Sequence, residues 1–318
     1  MNRYLVNPSF RPQALPAPEA VALSFHHSLP GYAPTPVREL PALGVRLKDE
    51  SDRLGLPAFK ILGASWAAER ALRSKPDTEL LVAASAGNHG RAVARVAARR
   101  GLECRVYLPE RSLAVRRRAI EGEGAQVMVV QGTYKDAVAR AREAAREPRT
   151  LEIADVGDSQ SAHDVIDGYA TLFAELAEQT PVETLLVPVG VGSLAAAAAR
   201  FAAATNARVI GVEPTSAACL TASLAEGEPR RVSTPGTVMA GMDCAEVSAA
   251  AWPDLRDGIF GTVLVEDGEI PAAATILSEA NLELGECAAA PVAALRHLDT
   301  GPNTVLVATE GPTAVSSA

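Results

Sequence analysis

Positive charge is in short supply. Against 38 acidic residues the 318-residue chain carries 30 Lys and Arg, a formal net charge of −8. That balance argues against a nucleic-acid or anionic-membrane surface as partner. The basic run Arg116-Arg117-Arg118 is short and lies in a helical stretch, where it reads as a solvated face. No apolar run reaches the length needed to cross a bilayer, and the alanine-rich stretch 194–204 is broken by Arg200. Pro8, Pro12, Pro16 and Pro18 interrupt any charged-then-apolar signal pattern, so the expectation is a soluble cytoplasmic protein. Only four cysteines occur, Cys104, Cys219, Cys244 and Cys287, with no metal-ligand spacing. Buried free thiols and no metal are expected. No internal repeat is visible.

Lysine is the scarcest basic residue. Only Lys48, Lys60, Lys75 and Lys135 occur among the 30 basic side chains. Lys60 stands in apolar company, between Phe59 and Ile61, with a helical pattern just behind it. Arginine cannot lose its proton, whereas a desolvated lysine can, and the neutral amine is a nucleophile able to form a Schiff base. On this stretch alone, a lysine snorkelling from a helix start is an equal reading.

Taken in order, residues 1–30 are punctuated by proline. His26 and His27 point apart on any regular element, which favours a surface or packing role over a metal. Tyr32-Ala33-Pro34-Thr35-Pro36 reads as extended, because each proline biases its predecessor away from helix. Val45 to Lys48 reads as a short strand, and a helical pattern runs from Ser65 to Leu72. Alternation then sets in: strand 79–84, helix 90–100, strand 105–108, helix 114–123, strand 125–130 and helix 134–146. A second series follows with strand 185–189, helix 194–204, strands 208–213 and 262–265, helices from Ile270 and from about Cys287, and strand 304–308. This rhythm predicts an α/β protein with parallel sheets, helical crossovers, and ligands at the carboxyl ends of the strands.

Three segments stand where such sheets bind ligands: Lys60, Ser85-Ala86-Gly87-Asn88-His89-Gly90 after one apolar strand, and Gly190-Val191-Gly192-Ser193 after another. The last lies between a strand and a helix, so main-chain N–H groups and the helix dipole can face a phosphate there. Together the three segments resemble the fold-type II, tryptophan synthase β-like family of pyridoxal-phosphate (PLP) enzymes, and within it the diaminopropionate ammonia-lyases. The resemblance extends over Gly31 to Pro36, Lys48-Asp49-Glu50-Ser51, Ala58-Phe59-Lys60, Gly87 to Arg91, Gly168 to Leu172, Met239 to Met242 and Thr309-Glu310-Gly311, in the family's order. It implies two domains with pyridoxal 5'-phosphate in the cleft between them. The larger, cofactor-binding domain would be residues 1–78 and 159–318, and residues 79–158 a small α/β domain closing over the substrate. A homodimer is the family habit.

The resemblance also implies roles. Lys60 is the cofactor's anchor, residues Gly190, Val191, Gly192 and Ser193 hold its phosphate, Asn88 bonds its phenolic oxygen, and Thr309 places a hydroxyl near the ring nitrogen. Ser85 and the amides of Ala86, Gly87, Asn88 and His89 grip the substrate carboxylate. For Asn88 a turn asparagine in the left-handed region is the competing reading. Asp155 aligns with an acid of the family's active site, and a loop aspartate or helix cap is its alternative. Glu213 either supports the pocket or caps. The segments holding Cys219 and Cys244 flank the active site in the family, so a pair between them stands beside the free-thiol reading.

The implied reaction is α,β-elimination from L-2,3-diaminopropionate, or a similar small β-substituted L-amino acid, to pyruvate and ammonia. Lys60 would take the α-proton, and an acid near the β-position would help the amine depart. The chain departs from the family at three places. Ala86 stands where enzymes acting on both stereoisomers carry an aspartate, which favours an L-substrate. Gly285-Glu286-Cys287-Ala288-Ala289 replaces a Gly-Glu-Ser-Gly-Ala run, and few residues follow Gly311-Pro312. A PLP-dependent β-replacement transferase, a serine or threonine dehydratase, and a non-catalytic PLP-binding protein are the competing functions.

Overall fold

Parallel strands covered by helices on both faces must be apolar at every position. Leu80–Ala84 meets that demand, and Gly261–Val265 and Thr304–Ala308 come close with one threonine each, all three being buried throughout their length. A computed structural model describes residues 3–16, 18 and 21–312. The chain divides into two compact units, one of residues 1–59 and 169–313 and the other of residues 60–168.

The first unit opens with β1 (Tyr4–Val6), α1 (Val21–His27), β2 (Val37–Leu40) and β3 (Val45–Asp49). The second runs through α2 (Lys60–Ser74), β4 (Leu80–Ala84), α3 (Asn88–Arg100), β5 (Glu103–Pro109), α4 (Ala114–Glu121), β6 (Gln126–Val130), α5 (Tyr134–Ala144) and β7 (Thr150–Glu152). Helix α6 (Gln160–Gln179) leads back into the first unit. There follow β8 (Thr184–Pro188), α7 (Ser193–Thr205), β9 (Arg208–Pro214), α8 (Cys219–Glu226), α9 (Trp252–Gly258), β10 (Gly261–Val265), α10 (Ile270–Glu279), α11 (Glu286–Ala294) and β11 (Thr304–Ala308). Among the described residues no helix is long and apolar enough to cross a membrane.

The smaller unit holds a four-stranded sheet in the order β6-β5-β4-β7, parallel throughout. The larger holds seven strands in the order β1-β10-β9-β8-β11-β3-β2. Its inner strands are parallel, and the edge strands β1 and β2 run antiparallel to their neighbours. The α/β class with parallel sheets is as expected from the βα rhythm. Short β1, β2 and β7 leave no alternation in the sequence and were not foreseen.

The unit boundaries differ from the sequence expectation, which placed residues 60–78 and 159–168 with the larger domain. Helix α2 begins at Lys60, not Ser65, and packs along α3, so it belongs to the smaller unit. The start of α6 goes with it because Gly168 lets the two helices touch: a Cβ there would stand 2.7 Å from the Leu62 carbonyl oxygen.

A buried ionic network in the larger unit explains two of the recognised segments. Lys48 Nζ donates to the Thr35 carbonyl oxygen (2.7 Å), Glu175 Oε2 (2.9 Å) and Gln179 Oε1 (2.8 Å), which uses all three of its protons. The Arg53 guanidinium bonds both Glu50 oxygens (2.8 and 2.6 Å) and both Glu175 oxygens (2.6 and 2.8 Å). Tyr32 and Thr35 donate to Glu175 and Glu50, at 2.6 and 2.5 Å. Two cations meet two carboxylates, so Tyr32 to Pro36 is pinned against β3 and α6. His26 is likewise a packing residue, its Nδ1 2.7 Å from Thr171 Oγ1.

Glu213, near the end of β9, is spent on capping. Its carboxylate accepts the N–H groups of Leu220 and Thr221 (2.7 and 2.8 Å) and the Thr221 hydroxyl (2.6 Å), in the first turn of α8. Burial pushes its pKa from the ordinary 4.5 up to about 7, against the pull of those hydrogen bonds.

Two expectations follow. Glu175→Gln leaves Lys48 and Arg53 buried opposite Glu50 alone and should cost about 3–5 kcal/mol of unfolding free energy in urea titrations. Between pH 4.5 and about 7 the folded protein keeps the Glu213 proton that the unfolded chain has lost. Raising pH through that window therefore removes stability, at about 1.4 kcal/mol per pH unit. Thermal melts at several pH values should show this slope flattened in Glu213→Gln.

Candidate active site

In the smaller unit three titratable side chains from three elements converge. Lys60 is the first residue of α2, where the positive end of the helix dipole opposes an ammonium. Its support comes from Asp155, whose Oδ2 lies 3.0 Å from Nζ. The lysine side chain is 22 % exposed and the aspartate 10 %, so the amine is reachable while its partner is sunk. Burial pushes the Asp155 carboxyl up, and His89 and Lys60 beside it more than reverse this, leaving it below the ordinary carboxylate value. Asp155 stands in the loop between β7 and α6, buried and paired with Lys60. The nearby acids are engaged elsewhere, Asp158 with His163 and Asp164 with Gln160 and Arg70.

His89 is the third member. Its Nε2 lies 2.8 Å from the Ile153 carbonyl oxygen, and its Nδ1 faces Asp155 Oδ2 at 3.7 Å. Burial, seconded by Lys60, lowers the ring's pKa against the opposing pull of Asp155. The sequence reading valued this residue only for its amide; nothing in a Gly-Asn-His-Gly string shows that its ring reaches the segment after β7.

The turn from β4 into α3 is shaped for an anion. Ser85 N–H bonds the Tyr107 carbonyl, and the Gly87 N–H bonds Ser85 Oγ at 3.2 Å. Gly90 is required, because a Cβ there would stand 2.7 Å from the Ser85 carbonyl oxygen. Asn88 is the first residue of the helix, not a left-handed turn asparagine. The N-cap residue of α3, Gly87, brings no side-chain cap, and the positive end of the helix dipole there favours an anion. Ala86 brings no acid to this turn.

In the larger unit, β8 gives way to Gly190, Val191 and Gly192 before α7 begins at Ser193. Gly192 has φ +93°, and a Cβ on it would stand 2.5 Å from Leu255 Cδ1. Gly190 is pressed against the recognised Met239 to Met242 segment, where its Cβ would stand 2.7 Å from the Gly241 carbonyl oxygen. Val191 is held by its carbonyl, which accepts the Ser248 N–H at 2.8 Å. No side chain caps the thirteen-residue α7 either. Ser193 is buried at its start.

Cys219 and Cys244 both flank this turn, and none of the four cysteines is in a disulfide. Cys219 Sγ lies 3.7 Å from the Gly190 carbonyl oxygen, and Cys244 Sγ 3.2 Å from the position of a Gly190 Cβ. Thr309 is buried just past β11, and its carbonyl accepts the Phe59 N–H at 3.4 Å. Cys287, where the family run has serine, is buried, its Sγ 3.1 Å from where a Gly241 Cβ would stand.

The donor set suits pyridoxal phosphate. A phosphate asks for main-chain N–H groups at a narrow, side-chain-free turn before a helix, and an aldehyde asks for a reachable amine. The 190–193 turn and Lys60 supply these, each within its own unit.

Comparison with known proteins agrees. The family model described as pyridoxal-phosphate dependent enzyme matches residues 28–310. The chain is 32 % identical over 289 residues to a diaminopropionate ammonia-lyase of Salmonella typhimurium, covering 77 % of this chain and 72 % of that one. An L-threonine ammonia-lyase of Geobacter sulfurreducens is 32 % identical over 283 residues, 82 % of this chain and 68 % of that one. A crystal structure of the Escherichia coli diaminopropionate ammonia-lyase, in complex with an aminoacrylate-PLP azomethine reaction intermediate, superposes with a TM-score of 0.90 at 26 % identity, over 98 % of this chain and 94 % of that one. The chain therefore belongs to the pyridoxal-phosphate-dependent enzyme family, with ammonia-lyases of the fold-type II class among its relatives.

Proposed function

We propose that this enzyme eliminates ammonia from L-2,3-diaminopropionate, or a closely similar β-substituted L-amino acid, to give pyruvate. The observation that carries the reading is the Lys60–Asp155 contact of 3.0 Å, which places an amine base beside a buried acid. Bound PLP supplies the electron sink that acidifies the substrate's α-proton. In this reading Lys60 anchors the cofactor and then takes the α-proton, and Asp155 serves the β-position. The N–H groups of Ser85 to His89 bind the substrate carboxylate, and Asn88 and Thr309 address the cofactor ring. Gly190 to Ser193 hold the phosphate through N–H donors that need no cationic side chain. Preference for the L-isomer is supported by Ala86, which cannot act as a base.

The larger unit is assigned to the cofactor phosphate and the smaller to the substrate, and a cytoplasmic homodimer completes the proposal. L-Threonine is the second substrate to test, because an L-threonine ammonia-lyase is as similar in identity as the diaminopropionate enzymes.

Purified enzyme with PLP should release pyruvate from L-2,3-diaminopropionate, with far slower formation of 2-oxobutanoate from L-threonine. The reverse order of rates would move the enzyme among the threonine deaminases. Lys60→Ala should abolish the cofactor's absorbance band at ~410–420 nm, the signature of a lysine-bound PLP. Gly192→Ala forces a side chain into the left-handed region against Leu255. It should weaken PLP binding at least about tenfold in a spectroscopic titration.

A further inference from the structure

His89 has one ring nitrogen with a settled partner and one without. Nε2 lies 2.8 Å from the Ile153 carbonyl oxygen, an atom that only accepts, so Nε2 carries the proton. In the neutral ring Nδ1 is then a bare lone pair. It is buried and makes no hydrogen bond, yet it points at Asp155 Oδ2 from 3.7 Å. Two acceptors face each other across that gap, and the Lys60 amine stands 3.0 Å from the same Oδ2. Lys60 from α2, His89 from α3 and Asp155 from the segment after β7 are the titratable groups that face one another there. A single proton is what the Nδ1–Oδ2 gap lacks.

We propose that His89 and Asp155 form a dyad that takes up one proton during turnover and hands it to the departing β-amine, with His89 a positioning residue that acts through Asp155. The inference rests on the ammonia-lyase reading above. A lone carboxylate beside Lys60 prefers to stay ionised and is a poor acid; a lone pair on its far side lets an added proton be shared between Oδ2 and Nδ1. The balance closes without a co-reactant. The substrate's Cα–H bond breaks, Lys60 Nζ takes the proton, and the electron pair forms the Cα–Cβ double bond. Lys60 passes that proton to Asp155 Oδ2 across the 3.0 Å contact, which loads the dyad. As the Cβ–N bond breaks, its pair stays with nitrogen, which takes the proton from the dyad.

The test compares two leaving groups on the PLP-loaded enzyme. The β-amine of L-2,3-diaminopropionate needs a proton to leave, and the chloride of β-chloro-L-alanine needs none. His89→Gln keeps a donor for the Ile153 carbonyl but has no basic nitrogen. Its kcat for diaminopropionate should fall about 100-fold, the usual worth of a positioned acid. Its kcat for chloroalanine should fall at least about tenfold less than its kcat for diaminopropionate. Equal losses on both substrates, or no loss on diaminopropionate, overturn the dyad.

An activity-independent reading uses the wild-type protein labelled with 15N-histidine. The ring in contact with Ile153 should show a protonated Nε2 and a bare Nδ1 near neutral pH, and the opposite tautomer overturns the proposal even if the variant fails to fold. Wild-type enzyme that releases pyruvate from neither substrate sinks the ammonia-lyase reading instead, and the tautomer alone then judges the dyad.

Discussion

A carboxylate that has been carried almost out of water must be answered by charge or hydrogen bonds. Asp155 is answered by Lys60, and much of the smaller unit is arranged so that the two can meet. The Ile153 N–H bonds the Val82 carbonyl, extending the pairing of β4 with β7 and fixing where Asp155 emerges. His89 ties α3 to the same segment through the Ile153 carbonyl. Gly90 and Gly168 permit the close approaches that put α3 and α2 in place. The proposed reaction needs lysine at this position, because a guanidinium could pair with Asp155 but could not give up a proton.

Among the described residues two lysine–carboxylate arrangements are built in opposite ways. Lys48 has every proton spent on a fixed acceptor and lies beside Arg53 in a set whose charges cancel. Such a set specifies one chain path and has nothing left for chemistry. Around Lys60 the amine is partly exposed and the neighbouring His89 nitrogen is left without a hydrogen bond. Unspent hydrogen-bonding capacity beside an ion pair is costly to fold, and it is found where a substrate's protons are to be handled. The turn 190–193 is built without charge, around a positive-φ glycine that leads into the start of α7.

Much of the fold was legible because its signals are local. Fully buried parallel strands leave apolar runs, as at 80–84, 185–189 and 304–308, and the helices between them carry their own period. Lys60 and the Gly190–Ser193 turn could be singled out from composition and context within a few residues. What stayed hidden was short or compensated. Strands of three residues such as β1 and β7 are too brief to alternate, and the helical pattern read from Ser65 missed the first turn of α2, which begins at Lys60.

The sequence by itself determined the α/β class, the cofactor family and the candidate lysine, since each is encoded by residues adjacent in the chain. Tertiary structure alone decided that Glu213 caps a helix, that Glu175 closes the Lys48–Arg53 network, and that His89 and Asp155 share a wall with Lys60. Those contacts join residues 7 to 127 positions apart. A side chain's partner at such separations is set by how helices and strands cross, which no local pattern of residue types records.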